Sequence, residues 1–99
     1  MTTTVGLLLT VEAKPGKEDE VAKLFAGAQA IVQGEPDTVA WFAIRLGPTT
    51  FGVFDAFPSD EGRQAHLNGQ VPQALNDNAE LFASPPDIKM VDVLSDKLP

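Results

Sequence analysis

The chain has 99 residues, 43% apolar and 21% charged, with 7 basic against 14 acidic side chains and a formal charge of −7. That length allows one domain, 1–99, with a core of modest thickness, and the apolar share sets it apart from disordered chains. The acidic balance repels phosphate backbones and anionic lipid, which argues against nucleic acid and membrane surfaces as partners. With no cysteine and a single histidine, disulfides, thiolate catalysis and thiol- or multi-histidine-ligated metals are excluded. No apolar run approaches the roughly 20 residues that span a bilayer. The opening MTTTVGLLLT lacks a basic region and a small-residue cleavage site, so a cytoplasmic protein without a signal peptide is expected.

Val5, Leu7, Leu9 and Val11 alternate along VGLLLTVE, the pattern of a first strand. Lys14-Pro15-Gly16-Lys17 breaks it with turn chemistry. The period then changes: Val21, Leu24, Phe25, Ala28, Ile31 and Val32 recur at three- and four-residue spacing, predicting a helix over residues 18–33. Glu18, Asp19 and Glu20 oppose the positive end of its dipole, and Gly34 and Pro36 stop it.

Residues 39–46 and 51–57 read as a hairpin joined at Gly47-Pro48-Thr49-Thr50. A turn symmetric about Pro48 and Thr49 pairs Leu46 with Phe51, Ile44 with Val53 and Phe42 with Asp55. One face then carries Phe42, Ile44, Val53, Asp55 and Phe57; the other carries Trp41, Ala43, Arg45, Phe54 and Ala56. Ser59 or Asp60 caps a short helix bearing Arg63, His66 and Leu67, weakened by Gly62 and interrupted at Asn68-Gly69. A further helix runs from Pro72 to about Ala83, with Val71, Leu75, Ala79 and Phe82 inward. After the loop Ser84-Pro85-Pro86-Asp87, residues 88–94 form the last strand.

Strand, helix, strand, strand, helix, strand is the ferredoxin-like split βαβ order, an α+β fold with a four-stranded antiparallel sheet and helices on one face. The uncovered face of such a sheet is ordinarily polar. Here both faces of the hairpin are apolar, since Trp41, Phe42, Phe51, Phe54 and Phe57 crowd into it. The economical resolution is a homodimer whose sheets pack face to face, closing into a dimeric α/β barrel.

With these features the chain resembles the antibiotic biosynthesis monooxygenase (ABM) domain of the dimeric α/β-barrel superfamily. The resemblance covers nearly the whole chain and rests most on EAKPGKEDEVAKLF, EPDTVAWF and FDAFPSDEGRQAHLNG. The family often ends its third strand with an acidic residue, a spacer and an aromatic, followed by a histidine on the next helix; Asp55, Phe57 and His66 fill those places. Asp stands where Glu is more usual, Phe where Trp is frequent, and Val71 lies near the place of an absent second histidine. The resemblance implies a pocket between sheet and helices. It also implies oxygenation of a small phenolic or quinol-type aromatic molecule by molecular oxygen, with no cofactor and no metal.

Such chemistry needs a base, a dry site and a substrate that supplies its own electrons. His66 is the candidate base, being the side chain that titrates near neutrality, and Asp55 orients it or bonds a substrate hydroxyl. Trp41, Phe42, Phe54 and Phe57 are candidate walls, and Asn68 and Arg45 candidate oxyanion donors. Each has a plainer reading: core or dimer contact for the aromatics, a solvated charge for Arg45, a buried structural pair for Asp55. The alternative function is a non-catalytic dimeric barrel that binds a small apolar ligand or serves as a stress-associated module, with haem degradation and lactone isomerisation behind it.

Overall fold

The computed structural model describes residues 3–99. The elements are β1 (Val5–Glu12), α1 (Glu18–Gly27), α2 (Gln29–Val32), β2 (Ala40–Arg45), β3 (Thr50–Phe57), α3 (Asp60–Leu67), α4 (Gln70–Asp77), a 3₁₀ turn (Ala79–Leu81) and β4 (Asp87–Asp92). The sheet order is β2-β3-β1-β4, antiparallel at every pairing. This is the expected α+β, ferredoxin-like architecture. Among the described residues no helix is long and apolar enough to cross a membrane.

The predicted helix over 18–33 is interrupted at Ala28, which keeps helical dihedrals (φ −65°, ψ −21°) and donates to both Leu24 O and Phe25 O. The apolar stripe is therefore continuous across α1 and α2, with Val21, Phe25, Ala28 and Val32 all buried. The predicted helix to Ala83 stops early: α4 ends at Asp77, where the Asn78 side chain donates back to Ala74 O at 2.8 Å. A polar side chain that satisfies the last carbonyls competes with further helix. β4 ends at Asp92, two residues short of the expected strand, and Leu94 is fully in solvent.

The hairpin register is corrected by one residue. Leu46 N donates to Thr50 O, and Arg45 lies opposite Phe51, so the connection is the three-residue segment 47–49 centred on Pro48. An odd loop moves every pair: Trp41 faces Asp55, Phe42 faces Phe54 and Ala43 faces Val53. Because side chains alternate with period two, this regroups the faces. Trp41 and Ala43 join Phe51, Val53, Asp55 and Phe57 beneath the helices. Phe42, Ile44 and Leu46 share the open face with Phe54.

Through the β1 pairings, Leu7, Leu9 and Val11 take the helix side and Leu8 the open side. The core gathers Val11, Val21, Phe25, Phe51, Val53, Leu75 and Phe82, with Trp41 and Ala43 packed against it. Phe25 and Phe51 meet edge-on at 6.1 Å. The open face leaves Phe42 55%, Leu46 54% and Ile44 41% exposed.

Candidate functional site

Asp55 lies on the central strand β3, between Leu7 of β1 and Trp41 of β2, on the face turned to the helices. That register puts a carboxylate in the apolar layer, and Asp55 is 1% exposed. His66 occupies the last turn of α3 and is buried as well. Its helix begins after extended Ser59 and carries an Asp60–Arg63 ion pair at 2.8 Å in its first turns. Gly62 lets α3 approach closely: a Cβ there would stand 2.9 Å from Cβ of Asp37. One helical turn later, His66 reaches the same loop and the sheet together.

The imidazole is bonded at both nitrogens. Nε2 lies 2.9 Å from Asp55 Oδ2, and Nδ1 lies 2.6 Å from Glu35 Oε1. Glu35 follows α2, its N–H bonded to Val32 O, and its Oε1 also accepts from Thr38 Oγ1 at 2.7 Å. Burial alone would lower the His66 pKa, but the hydrogen bonds to Asp55 and Glu35, reinforced by their charges, outweigh it and leave the pKa raised. An imidazolium that donates from both nitrogens to two carboxylates is the species this geometry favours. The Phe57 ring covers the imidazole, 5.5 Å between centroids.

One oxygen remains over. Asp55 Oδ1 is buried and has no hydrogen-bond partner among the described residues, although a buried carboxylate oxygen ordinarily finds one. Asp55 and His66 both line an apolar cavity between sheet and helices, walled by Leu7, Leu9, Phe25, Val53, Val71 and Leu75. Its free volume is about 40 Å³, enough for water but well below the roughly 300 Å³ at which ordinary ligand pockets start. The cavity shares Pro72, Leu75 and Ile88 with an outer groove of about 470 Å³, so those side chains form its door. On the far side of His66 is a second, more open cleft of about 430 Å³, where Glu35, Asp37, Thr38 and Gln70 stand among Ile31, Pro36 and Ala65. His66 is thus the partition between an enclosed apolar cavity and an open cleft.

The structure brings His66, Asp55 and Phe57 together and disperses the other expected site residues. Phe42 and Phe54 lie on the opposite face of the sheet; the one-residue register correction moved Phe42 there, whereas alternation along β3 had already set Phe54 on the face opposite Asp55. Trp41 is on the helix side but outside the cavity, beside a small polar pocket with Glu35 and Thr38, and its indole N–H is buried without a partner. Asn68 is exposed past the end of α3. Arg45 folds back on its own hairpin, bonded to Pro48 O at 2.7 Å and stacked over Phe51. Phe25 is the one aromatic side chain of a mostly aliphatic cavity wall, none of the four expected aromatics lines it, and Val71 is part of it.

Glu35 is the residue that sequence reading missed. Its one sequence signal is its place just before Pro36, in the EPDTVAWF stretch. Among the described residues no group of three or more ligating side chains converges to hold a metal; the two carboxylates sit on opposite sides of one ring.

The chain matches no family model and no curated protein. Among solved structures, a Nitrosomonas europaea protein of unknown function, NE2512, is 50% identical, covers 99% of this chain and 96% of its own, and superposes with a TM-score of 0.96. A candidate antibiotic biosynthesis monooxygenase from Caulobacter crescentus CB15 is 20% identical, covers 95% of this chain and 92% of its own, and gives 0.80. A second such candidate, from Nitrosomonas europaea, is 14% identical, covers 95% and 93%, and gives 0.81. The chain therefore belongs to the family of the Nitrosomonas protein NE2512, and its fold is the antibiotic biosynthesis monooxygenase-like fold.

Proposed function

We propose that this protein is a cofactor-independent monooxygenase that acts on a small phenolic, anthrone- or quinol-type molecule, with Asp55 as the base. The observation that carries the reading is Asp55 Oδ1, an unpartnered carboxylate oxygen buried beside an apolar cavity. His66 has both ring nitrogens engaged, so we assign it to holding Asp55 in place and balancing its charge, and give proton abstraction to Asp55. A substrate hydroxyl or acidic C–H placed against Oδ1 gives up its proton there, and the dry wall keeps the resulting anion reactive. The anion passes one electron to molecular oxygen, and the radical pair combines to a peroxide. For an anthrone-type methylene, Asp55 returns its proton to the outer peroxide oxygen; the O–O bond then breaks as the second C–H proton leaves, and that proton and the departing hydroxide make water, so a methylene and O2 become a carbonyl and H2O.

The open sheet face, with Phe42, Ile44, Leu46 and Phe54, supports a homodimer packed sheet to sheet. Oxygen uptake measured across a panel of anthrones and quinols tests the catalytic reading. Asp55→Asn preserves shape and removes the base, so turnover should fall about 10²- to 10⁴-fold; an undiminished rate overturns the assignment. The narrowness of the cavity favours a second reading, a small-ligand binder without turnover. Saturable binding of the same compounds with no oxygen uptake by wild type would establish that one instead.

A further inference from the structure

A proton taken by Asp55 from the cavity has to go somewhere. Asp55 is 1% exposed, and among the described residues the one hydrogen-bonded neighbour of its side chain is His66. Beyond His66 stands Glu35, whose side chain is 22% exposed and lines the open cleft. The two links, 2.9 Å and 2.6 Å, are short enough for proton transfer along hydrogen bonds.

We infer that Glu35 is the outer terminus of a proton relay, through which proton uptake at Asp55 is matched by proton release from His66 Nδ1 into the cleft. The inference rests on the reading of Asp55 as base. Before the reaction the buried pair is a carboxylate and an imidazolium, with no net charge. When Asp55 becomes a neutral acid, an imidazolium left beside it would be a buried charge missing its nearest partner, which is unfavourable. Passing the Nδ1 proton to Glu35, and from there to water, leaves neutral acid beside neutral imidazole. The buried pair is again uncharged. Return of the proton to the departing oxygen runs the same steps backwards: His66 regains its proton from Glu35 as Asp55 gives up its own. Among the described residues, the charged groups acting on His66 are Asp55 of β3 and Glu35 of the segment before β2; Asp37 lines the same cleft, and Arg63, one turn earlier on α3, is engaged by Asp60 and by the carbonyls of Gly6 and Val91. Of these, Glu35 alone joins the ring to the cleft by a hydrogen bond.

The single histidine gives one set of ring signals in nuclear magnetic resonance, so exchange of its N–H protons with solvent is directly readable. In Glu35→Gln that exchange should slow, and kcat should fall, each by about tenfold or more, with KM within about twofold because Glu35 lies outside the cavity. Glu35→Asp should recover part of both, and Thr38→Val, which keeps the carboxylate, should leave both near wild type. Unchanged exchange and kcat in Glu35→Gln overturn the relay. If that variant does not fold, Glu35→Asp decides: intermediate rates support the relay and wild-type rates overturn it. Slowed exchange with no oxygen uptake by wild type leaves the relay and removes the oxygenase reading. Oxygen uptake lost in Asp55→Asn but untouched in Glu35→Gln does the reverse.

Discussion

At the scale of single residues, His66 is held by opposing effects whose net sign is decided by its partners. Desolvation disfavours the imidazolium, while Asp55 and Glu35 favour it more, and the pKa rises above its ordinary value of 6.5. A raised folded-state pKa means that the folded protein binds the proton more tightly than the unfolded chain does. The resulting stabilisation is complete below pH 6.5 and is lost as pH climbs through the folded-state pKa. Urea midpoints should therefore decline as the medium goes from mildly acidic to alkaline, and a His66→Gln variant should lose that slope. A profile equally steep in the variant would refute the ion-pair account. His66 was visible in the sequence as the only histidine, and Asp55 as a lone acid on an apolar strand. Glu35 was not, because a loop residue 31 positions away in sequence shares no periodicity with either.

At the scale of elements, the site depends on how close α3 comes to the segment before β2. The sequence marked Gly62 as a weakness in the helix; the structure gives it a positive reason. An alanine there gains up to about 1 kcal/mol of helix propensity, but its Cβ would meet Asp37 Cβ at 2.9 Å. Overpacking of that kind costs about 1–3 kcal/mol, so the clash should win. Gly62→Ala should lower stability by about 1 kcal/mol and loosen the His66–Glu35 contact, read as a weaker pH dependence of the unfolding midpoint. A more stable Gly62→Ala protein would show that the loop yields freely. Strand and helix existence followed from periodicity, because the stripes of α1 and β1 are long and regular. The hairpin register did not, since Gly47-Pro48-Thr49-Thr50 fits an odd or an even loop equally well. That one-residue ambiguity sent Phe42 and Trp41 to the wrong faces and with them the expected aromatic wall.

At the scale of the whole molecule, the radius of gyration is 13.3 Å, close to the roughly 13 Å expected of a compact chain of about this length. Loose packing therefore does not explain the apolar sheet face; the chain is already folded down. Phe42, Leu46 and Ile44 remain exposed because both helices are spent on the other face. A charge introduced at the centre of that face should break the proposed sheet-to-sheet dimer while sparing the monomer core. Phe42→Glu should sediment at the chain mass of 10.5 kDa, with wild type at twice that. Wild type found as a monomer would remove the dimer.

The door of the cavity has a consequence of its own. It consists of the side chains of Pro72, Leu75 and Ile88, and Ile88 is 46% exposed at the sheet edge. Half-exposed side chains change rotamer in picoseconds to nanoseconds, whereas loops and lids take microseconds to milliseconds. Ile88 therefore turns on the faster clock, while Leu75, 7% exposed, is held in the core beside it.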